Sequence, residues 1–329
     1  MAVLVTGVAG FVGYHVAAAL LARGEQVVGV DNLNDYYDVR LKEARLALLA
    51  KEARFGFTRL DIADGGALKD CSAVRQAGIT DIVHLAAQAG VRHSMVDPHA
   101  YVRSNVVGHL NVLEFARTLP GLRHLVYASS SSVYGANRDL PFAEVDRVDR
   151  PLSMYAATKR ADELMSYAYG HLYGIPQTGL RFFTVYGPWG RPDMAYFMFA
   201  EAIMRGEPIT VYDDGSLRRD FTYIDDIVAG VVGCLDHPPQ GGGSEPPLRI
   251  LNIGNHRSEA VSTLIELLED GLGKPAIRRF VPRPLADVTE TWASVDQLHD
   301  LTGYSPTTPL SVGVARFVSW FCNWHSHHG

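Results

Sequence analysis

An open parallel β-sheet wound with helices on both faces, followed by a smaller α/β lobe, is the fold class that this 329-residue sequence predicts. Three observations predict it. From residue 1 to about 182, short β-branched runs alternate with longer stretches of helical period. A glycine-rich turn, Thr6-Gly7-Val8-Ala9-Gly10-Phe11-Val12-Gly13, stands between the first run and the first helical stretch. The second run, Val27-Val28-Gly29-Val30-Asp31, ends in a carboxylate.

In chain order, the pattern predicts strands near 2–6, 26–30, 56–60, 81–85, 123–128 and 176–182. Between and after them it predicts helices near 11–23, 39–54, 65–77, 97–118 and 153–173. After Gly187-Pro188 the rhythm changes, with short strands near 209–212 and 249–253 and helices near 193–205, 223–236, 258–270 and 309–322. We divide the chain accordingly into 1–186, a dinucleotide-binding domain, and 187–329, mainly a substrate-binding lobe with some segments returning to the first domain. The stretch 237–247 is rich in Pro and Gly and too poor in apolar groups to offset its ordering entropy, and no function is assigned to it.

Composition narrows the function classes. A hydrophobic fraction of 47% and a charged fraction of 20% suit an ordinary globular protein with a full core. The formal net charge of −6 leaves no cation excess for a nucleic-acid backbone or an anionic membrane, so neither is an expected partner. Cys71, Cys234 and Cys322 are widely spaced without a CxxC pair, which argues against a disulfide framework or thiolate metal site and fits a reducing cytoplasm. The first residues read as a strand, with no basic leader and no bilayer-length apolar run. His325, His327 and His328 form a terminal tract without evident partner ligands, and no metal is expected.

The glycine turn makes the first domain Rossmann-type. Gly7 permits a tight turn, Gly10 lets the backbone approach a pyrophosphate, and Gly13 lets the helix pack close, with Phe11 and Val12 opening that helix. Asp31, with Asn32 beside it, is placed for ribose hydroxyls and would repel a 2′-phosphate, so NAD is favoured over NADP; the alternative is a loop cap. Asp61-Ile62 and Leu85-Ala86-Ala87 follow the third and fourth strands, where adenine could pack.

Tyr155 and Lys159 stand one helical turn apart on one face, and a neighbouring ammonium favours the phenolate that can take a proton from an alcohol. Ser129-Ser130-Ser131-Ser132 leaves the fifth strand as a hydroxyl-rich turn able to present Ser130 to the same alcohol. An exposed Tyr/Lys pair is the plain alternative.

With these residues the sequence resembles the extended short-chain dehydrogenases that modify nucleotide sugars, and within them the UDP-glucuronate 4-epimerases. The likeness runs nearly end to end. Its most specific pieces are Asn34-Asp35-Tyr36-Tyr37-Asp38, Ala86-Ala87-Gln88-Ala89-Gly90-Val91-Arg92 and the long segment from Leu180 through Arg191-Pro192-Asp193-Met194-Ala195. The resemblance implies Ser130, Tyr155 and Lys159 as the catalytic trio, with tightly bound NAD and with Asn105 supporting the site. It further implies a UDP-sugar held by Arg92, Val211, Tyr212 and Arg219, the last on the pyrophosphate, and a homodimer paired through the 97–118 and 153–173 helices.

A planar sugar carboxylate suits a guanidinium, and the resemblance makes Ser131, Ser132, Thr184 and Arg191 its clamp; a surface ion pair is the alternative for Arg191. One departure is Pro284, which stands three residues before Asp287 where the family carries a diphosphate-binding arginine, leaving Arg283 one position earlier as the candidate. The implied reaction is transient oxidation of the sugar at C4, rotation of the ketone and return of hydride to its other face. Ser130-Ser131-Ser132 lacks the acids that related decarboxylases and dehydratases carry there, which ranks those reactions below a 4-epimerase of neutral UDP-sugars as alternatives. A binding-only regulatory or scaffold protein is the alternative outside enzymes.

Overall fold

The structure, a computed structural model, describes residues 1–242, 245–284 and 288–328. Leu285, Ala286 and Asp287, within the segment where the sequence departs from its relatives, lie outside the described residues, as do Gly243 and Ser244 of the polar connection and the side chain of His328.

The first half is built from β1 (Ala2–Thr6), α1 (Phe11–Ala22), β2 (Gln26–Asp31), α2 (Val39–Leu49), β3 (Phe55–Arg59), α3 (Ala67–Asp70), α4 (Ser72–Gln76), β4 (Asp81–His84), α5 (Pro98–Tyr101), α6 (Gly108–Ala116), β5 (His124–Ser130), α7 (Met154–Tyr173) and β6 (Gln177–Phe182). There follow β7 (Thr184–Tyr186), α8 (Ala195–Arg205), β8 (Pro208–Tyr212), β9 (Arg218–Arg219), β10 (Phe221–Tyr223), α9 (Ile224–Asp236), β11 (Leu248–Ile253), β12 (Glu259–Ala260), α10 (Val261–Leu272), β13 (Ile277–Val281), α11 (Asp296–Thr302) and α12 (Leu310–His328).

Seven strands form one parallel sheet in the order β11-β6-β5-β4-β1-β2-β3. Side chains alternate across it, as the period of a strand requires. Val3 and Val5 pack with Val16 and Leu20 of α1 and Ile227 and Val231 of α9, whereas Leu4 points the other way, to Val112 and Leu113 of α6. Both faces are thus covered, and the near-continuous apolar runs follow from that. Because β1 has β2 on one side and β4 on the other, the chain direction switches there and a crevice opens at their carboxyl ends.

The smaller lobe lays α8, α10 and α12 together through Phe197, Phe317, Phe321, Leu264 and Ile265, and its apolar interior is continuous with that of the sheet. Two strands in it are paired parallel, β8 with β13, and two antiparallel, β9 with β12.

Several expectations are corrected. The strand near 249–253 joins the main sheet beside β6. The single helix expected at 65–77 is two, broken at Cys71, whose backbone is extended. The helix expected at 97–118 is interrupted by a π-helical turn over Val102–Val107 that aims Asn105 inward. α2 ends at Leu49 rather than 54, and α12 runs to His328 rather than 322. The strands β7, β9, β10, β12 and β13 and the helix α11 carry too little period to be seen in the sequence.

The interior also fixes an acid response. Burial pushes His84 down to about 3 and His15 and His124 to about 4, and drives His109 well below the ordinary 6.5. His124 is held neutral between the Leu235 carbonyl at 3.2 Å and the Thr178 hydroxyl at 2.8 Å. These imidazoles bind fewer protons folded than unfolded between those values and 6.5, so their contribution is complete above about pH 6.5 and is lost as pH falls. Asp162 and Asp220, raised by burial to about 7 and about 6, and Glu144 and Asp225, also raised by burial, act in the opposite sense and offset part of that loss. Melting followed from pH 7 to pH 5 should show falling stability, with a shallower fall for His124→Gln; equal melting at both pH values would contradict this.

Candidate active site

A cleft of about 440 Å³ opens over the carboxyl ends of β1, β2, β4, β5 and β6. At its floor the glycine turn is closely packed. Gly7 has φ of +70° and its N–H donates to Val30 O at 2.8 Å. A Cβ on Gly7 would lie 2.7 Å from Ala86 N, and one on Gly13 would lie 2.1 Å from Gly7 O, so side chains are excluded from both positions. Gly7, Gly10, Phe11, Val12 and Gly13 all line the cleft. That bare-backbone cradle, at the start of a 12-residue helix, is the fit a dinucleotide pyrophosphate requires.

Asp31 lines the same cleft, and its two oxygens accept the N–H groups of Ala9 at 3.1 Å and Leu33 at 2.8 Å. It therefore braces the glycine turn while lining the cleft, so capping the loop does not take it out of the cleft wall. Asn32, Asp61, Ile62, Leu85, Ala86 and Ala87 complete this end of the cleft. Asp61 is itself fixed by the Ala63 N–H at 2.9 Å and by Arg103 at 3.2 Å.

Asn105 is buried behind the cleft rather than lining it. Its Oδ1 accepts the Gln88 N–H at 2.8 Å, while its Nδ2 donates to Gln88 O at 3.1 Å and to Thr158 Oγ1 at 2.9 Å. It thereby ties the loop after β4 to α7, three residues from Tyr155.

Ser153, two residues before Tyr155, caps α7 by accepting the Ala156 N–H. The Tyr155 ring packs edge-on against Tyr101 at 6.0 Å. Lys159 is buried, and its Nζ donates to Ala128 O at 2.9 Å and to Asp162 Oδ2 at 3.1 Å. Ser130 Oγ accepts two bonds from Ser132, from its N–H at 3.2 Å and its hydroxyl at 2.9 Å. With those bonds accepted, its own O–H proton is left to donate into the cleft. Ser131, Ser132 and Thr184 line the wall beside it.

Arg191 lines the cleft and is held by Asp193 as a fork, Nε to Oδ1 at 3.0 Å and Nη2 to Oδ2 at 2.5 Å. Tyr36 donates to the same carboxylate at 3.2 Å. Burial opposes the charge on Arg191, and the Asp193 carboxylate more than restores it, so the guanidinium stays cationic within the cleft. The ion-pair alternative for Arg191 thus names a real contact, located in the cleft rather than on open surface.

The residues expected to hold UDP are less completely gathered. Arg219 lines the cleft, its Nη1 donating to Arg218 O at 2.8 Å. Val211, Tyr212, Arg92 and Arg283 do not line it. Val211 is core, and Arg92 stacks over the Tyr212 ring at 4.5 Å, joining the loop after β4 to the end of β8. Arg283 lies against Asp213, with its N–H at 3.1 Å from Oδ1. Val288 and Thr291 line the cleft without having been anticipated, as do Lys42 and Tyr37. Lys42 is buried, donates to Asn34 O and Oδ1 at 2.8 and 2.7 Å, and is visible in the sequence only as a polar break in an apolar face.

No helix among the described residues is long and apolar enough to cross a membrane, and among them no group of three His, Cys, Asp or Glu could hold a metal ion.

Comparison with known proteins agrees with this architecture. The profile described as "NAD dependent epimerase/dehydratase family" matches residues 3–254. The chain is 45% identical over 333 residues to a probable UDP-glucuronate 4-epimerase of Rhizobium meliloti, covering 98% of this chain and 97% of that one. It is 46% identical over 338 residues to UDP-glucuronate 4-epimerase 1 of Arabidopsis thaliana, covering 100% of this chain and 78% of the relative. Among solved structures it superposes with a TM-score of 0.88 and 34% identity on a Bacillus cereus UDP-glucuronic acid 4-epimerase in complex with UDP-glucuronic acid and NAD, covering 98% of this chain and 99% of that one.

Proposed function

The chain belongs to the NAD-dependent epimerase/dehydratase family, and from that premise we propose that it is a UDP-glucuronate 4-epimerase, interconverting UDP-glucuronate and UDP-galacturonate. The observation that carries the reading is Arg191, held as a fork by Asp193 in the same cleft that Tyr155, Ser131, Ser132 and Thr184 line. A phenol for a sugar hydroxyl and a guanidinium for a sugar carboxylate are the two recognition groups that a uronate requires.

NAD is held by the Gly7–Gly13 turn and Asp31, and when bound it takes up hydride from the sugar's C4 and gives it back. Tyr155 accepts the C4 hydroxyl proton as the carbinol becomes a ketone and returns it after inversion. Ser130 donates to the C4 oxygen in both directions. Lys159 stands one helical turn from Tyr155 on the same face, and its position is fixed by Ala128 O and Asp162. Arg191, Ser131 and Thr184 hold the carboxylate, with Ser132, whose N–H and hydroxyl both donate to Ser130, in the wall beside them. The 4-ketouronate is a β-keto acid, so that grip also keeps the C5–C6 bond out of line with the carbonyl and suppresses loss of carbon dioxide.

Residues 1–186 hold the cofactor in this reading, and 187–329 supply most of the UDP-sugar side, with β11 returned to the main sheet. The enzyme works as a cytoplasmic homodimer, for which Leu164, Tyr167 and Leu172, exposed on α7, and Leu110, exposed on α6, offer an apolar helical face. A second reading, epimerisation of a neutral UDP-sugar, has the Arg191–Asp193 pair in its favour, since that guanidinium already holds one carboxylate. The purified protein incubated with UDP-glucuronate or UDP-glucose, without added NAD, separates the two. NMR should show UDP-galacturonate forming from the first and little conversion of the second; conversion of UDP-glucose alone would select the neutral reading.

A further inference from the structure

Two of the most distinctive sequence segments, Asn34–Asp38 and Pro188–Met194, meet in the structure, and a residue belonging to neither joins them. Arg45 lies on α2 in the inward stripe Leu41, Arg45, Leu49 and is fully buried. Its Nη1 donates to Ala9 O at 2.8 Å and to the Tyr37 hydroxyl at 2.9 Å. Its Nη2 donates to Trp189 O at 2.6 Å and to Gly190 O at 3.1 Å. None of these four acceptors is a carboxylate, and Nε meets no acceptor among the described residues.

A buried cation on neutral acceptors is costly, and an aliphatic side chain would extend the Leu41–Leu49 stripe at no such cost. What the cation joins gives the reason for it. Ala9 is in the dinucleotide turn, and Asp31 already holds its N–H, so Arg45 on its carbonyl secures the same residue from its other side. Trp189 and Gly190 form the bend immediately before Arg191. Trp189 has φ of +60°, a left-handed conformation that a bulky residue adopts only when held there. Gly190 is packed so closely that a Cβ would lie 1.8 Å from the Tyr196 hydroxyl. A second contact between the same segments runs from Tyr36 through Asp193 to Arg191.

We propose that Arg45 is a positioning residue that fastens the bend before Arg191 to the dinucleotide turn, so that retention of NAD and recognition of a uronate depend on one buried guanidinium. This rests on the reading of the glycine turn and of Arg191 given above. Neither segment alone would show the link, because Arg45 does not itself line the cleft and acts through three backbone carbonyls and the Tyr37 hydroxyl.

The test uses Arg45→Met, which removes the charge, and Arg45→Lys, which keeps it but cannot span four acceptors. NAD carried through purification is measured chromatographically after denaturation, and affinities for UDP-glucuronate and UDP-glucose are measured by calorimetry. Arg45→Met should retain less than about half of the wild-type NAD and bind UDP-glucuronate about tenfold more weakly, with UDP-glucose changed by less than about threefold. Arg45→Lys should fall between, and it is scored alone if Arg45→Met does not fold. Variants that keep wild-type NAD and wild-type sugar discrimination, whatever their melting temperature, would overturn the proposal, as would equal weakening toward both sugars. Failure of the epimerase reading looks different, as a wild-type protein that does not distinguish the two sugars; Arg45 is then decided by NAD retention alone.

Discussion

Tyr155→Phe should lower turnover of UDP-glucuronate by about a thousandfold or more while leaving bound NAD and the fold in place. The ring that packs edge-on against Tyr101 is retained in phenylalanine, so the packing of α7 changes little. Only the hydroxyl is lost, and with it the group that takes and returns the C4 proton; positioned acid–base groups contribute about 10²–10⁴ in rate. Single-turnover kinetics with the NAD content measured in parallel provide the check. Turnover within a few-fold of wild type would remove Tyr155 from the chemistry.

The second large effect is expected at Arg191. Arg191→Ala removes the cation from a half-buried carboxylate, Asp193, which lies behind Arg191 and is otherwise held by Tyr36. The uronate then loses its counter-charge and meets a like charge as well. KM for UDP-glucuronate should rise by about a hundredfold, in the range observed when one partner of a buried charged pair is truncated. Arg191→Ala combined with Asp193→Ala should recover part of that loss, because the repelling carboxylate is gone. The residual product should include a decarboxylated pentose nucleotide, since the ketone intermediate is no longer held by its carboxylate. Unchanged KM and product profile would exclude Arg191 from the clamp.

The parts of this site that were legible in the sequence are the ones whose signal is local. Gly7, Gly10 and Gly13 stand on a strand–turn–helix boundary, Asp31 ends a strand, and Tyr155 and Lys159 lie one helical turn apart; each pattern closes within a few residues. Asn105 was placed only by resemblance, because its partners Gln88 and Thr158 lie 17 and 53 residues away and the π-helical turn that aims it has no period of its own. Arg45 left a trace, a cation at the middle of an i, i+4, i+8 inward stripe, but nothing local could name Ala9 and Trp189 as its partners. The sheet was under-counted for a related reason. The strand near 249–253 reads as a short element of the smaller lobe, and only the parallel register of Leu248–Ile253 with Gln177–Phe182 makes it the outer strand of the main sheet. At the UDP end, the side chains of Val211 and Tyr212 are taken up by the core and by Arg92, contacts that depend on how the smaller lobe folds back.

The central claim is that the hydrogen on C4 leaves as hydride and returns to the same carbon. UDP-glucuronate carrying deuterium at C4, converted in ordinary water by the purified protein, tests it most directly. The account predicts UDP-galacturonate with the deuterium still at C4 and the configuration there inverted. Deuterium replaced by solvent hydrogen at that carbon would mean that a proton is exchanged instead, and the account would be wrong.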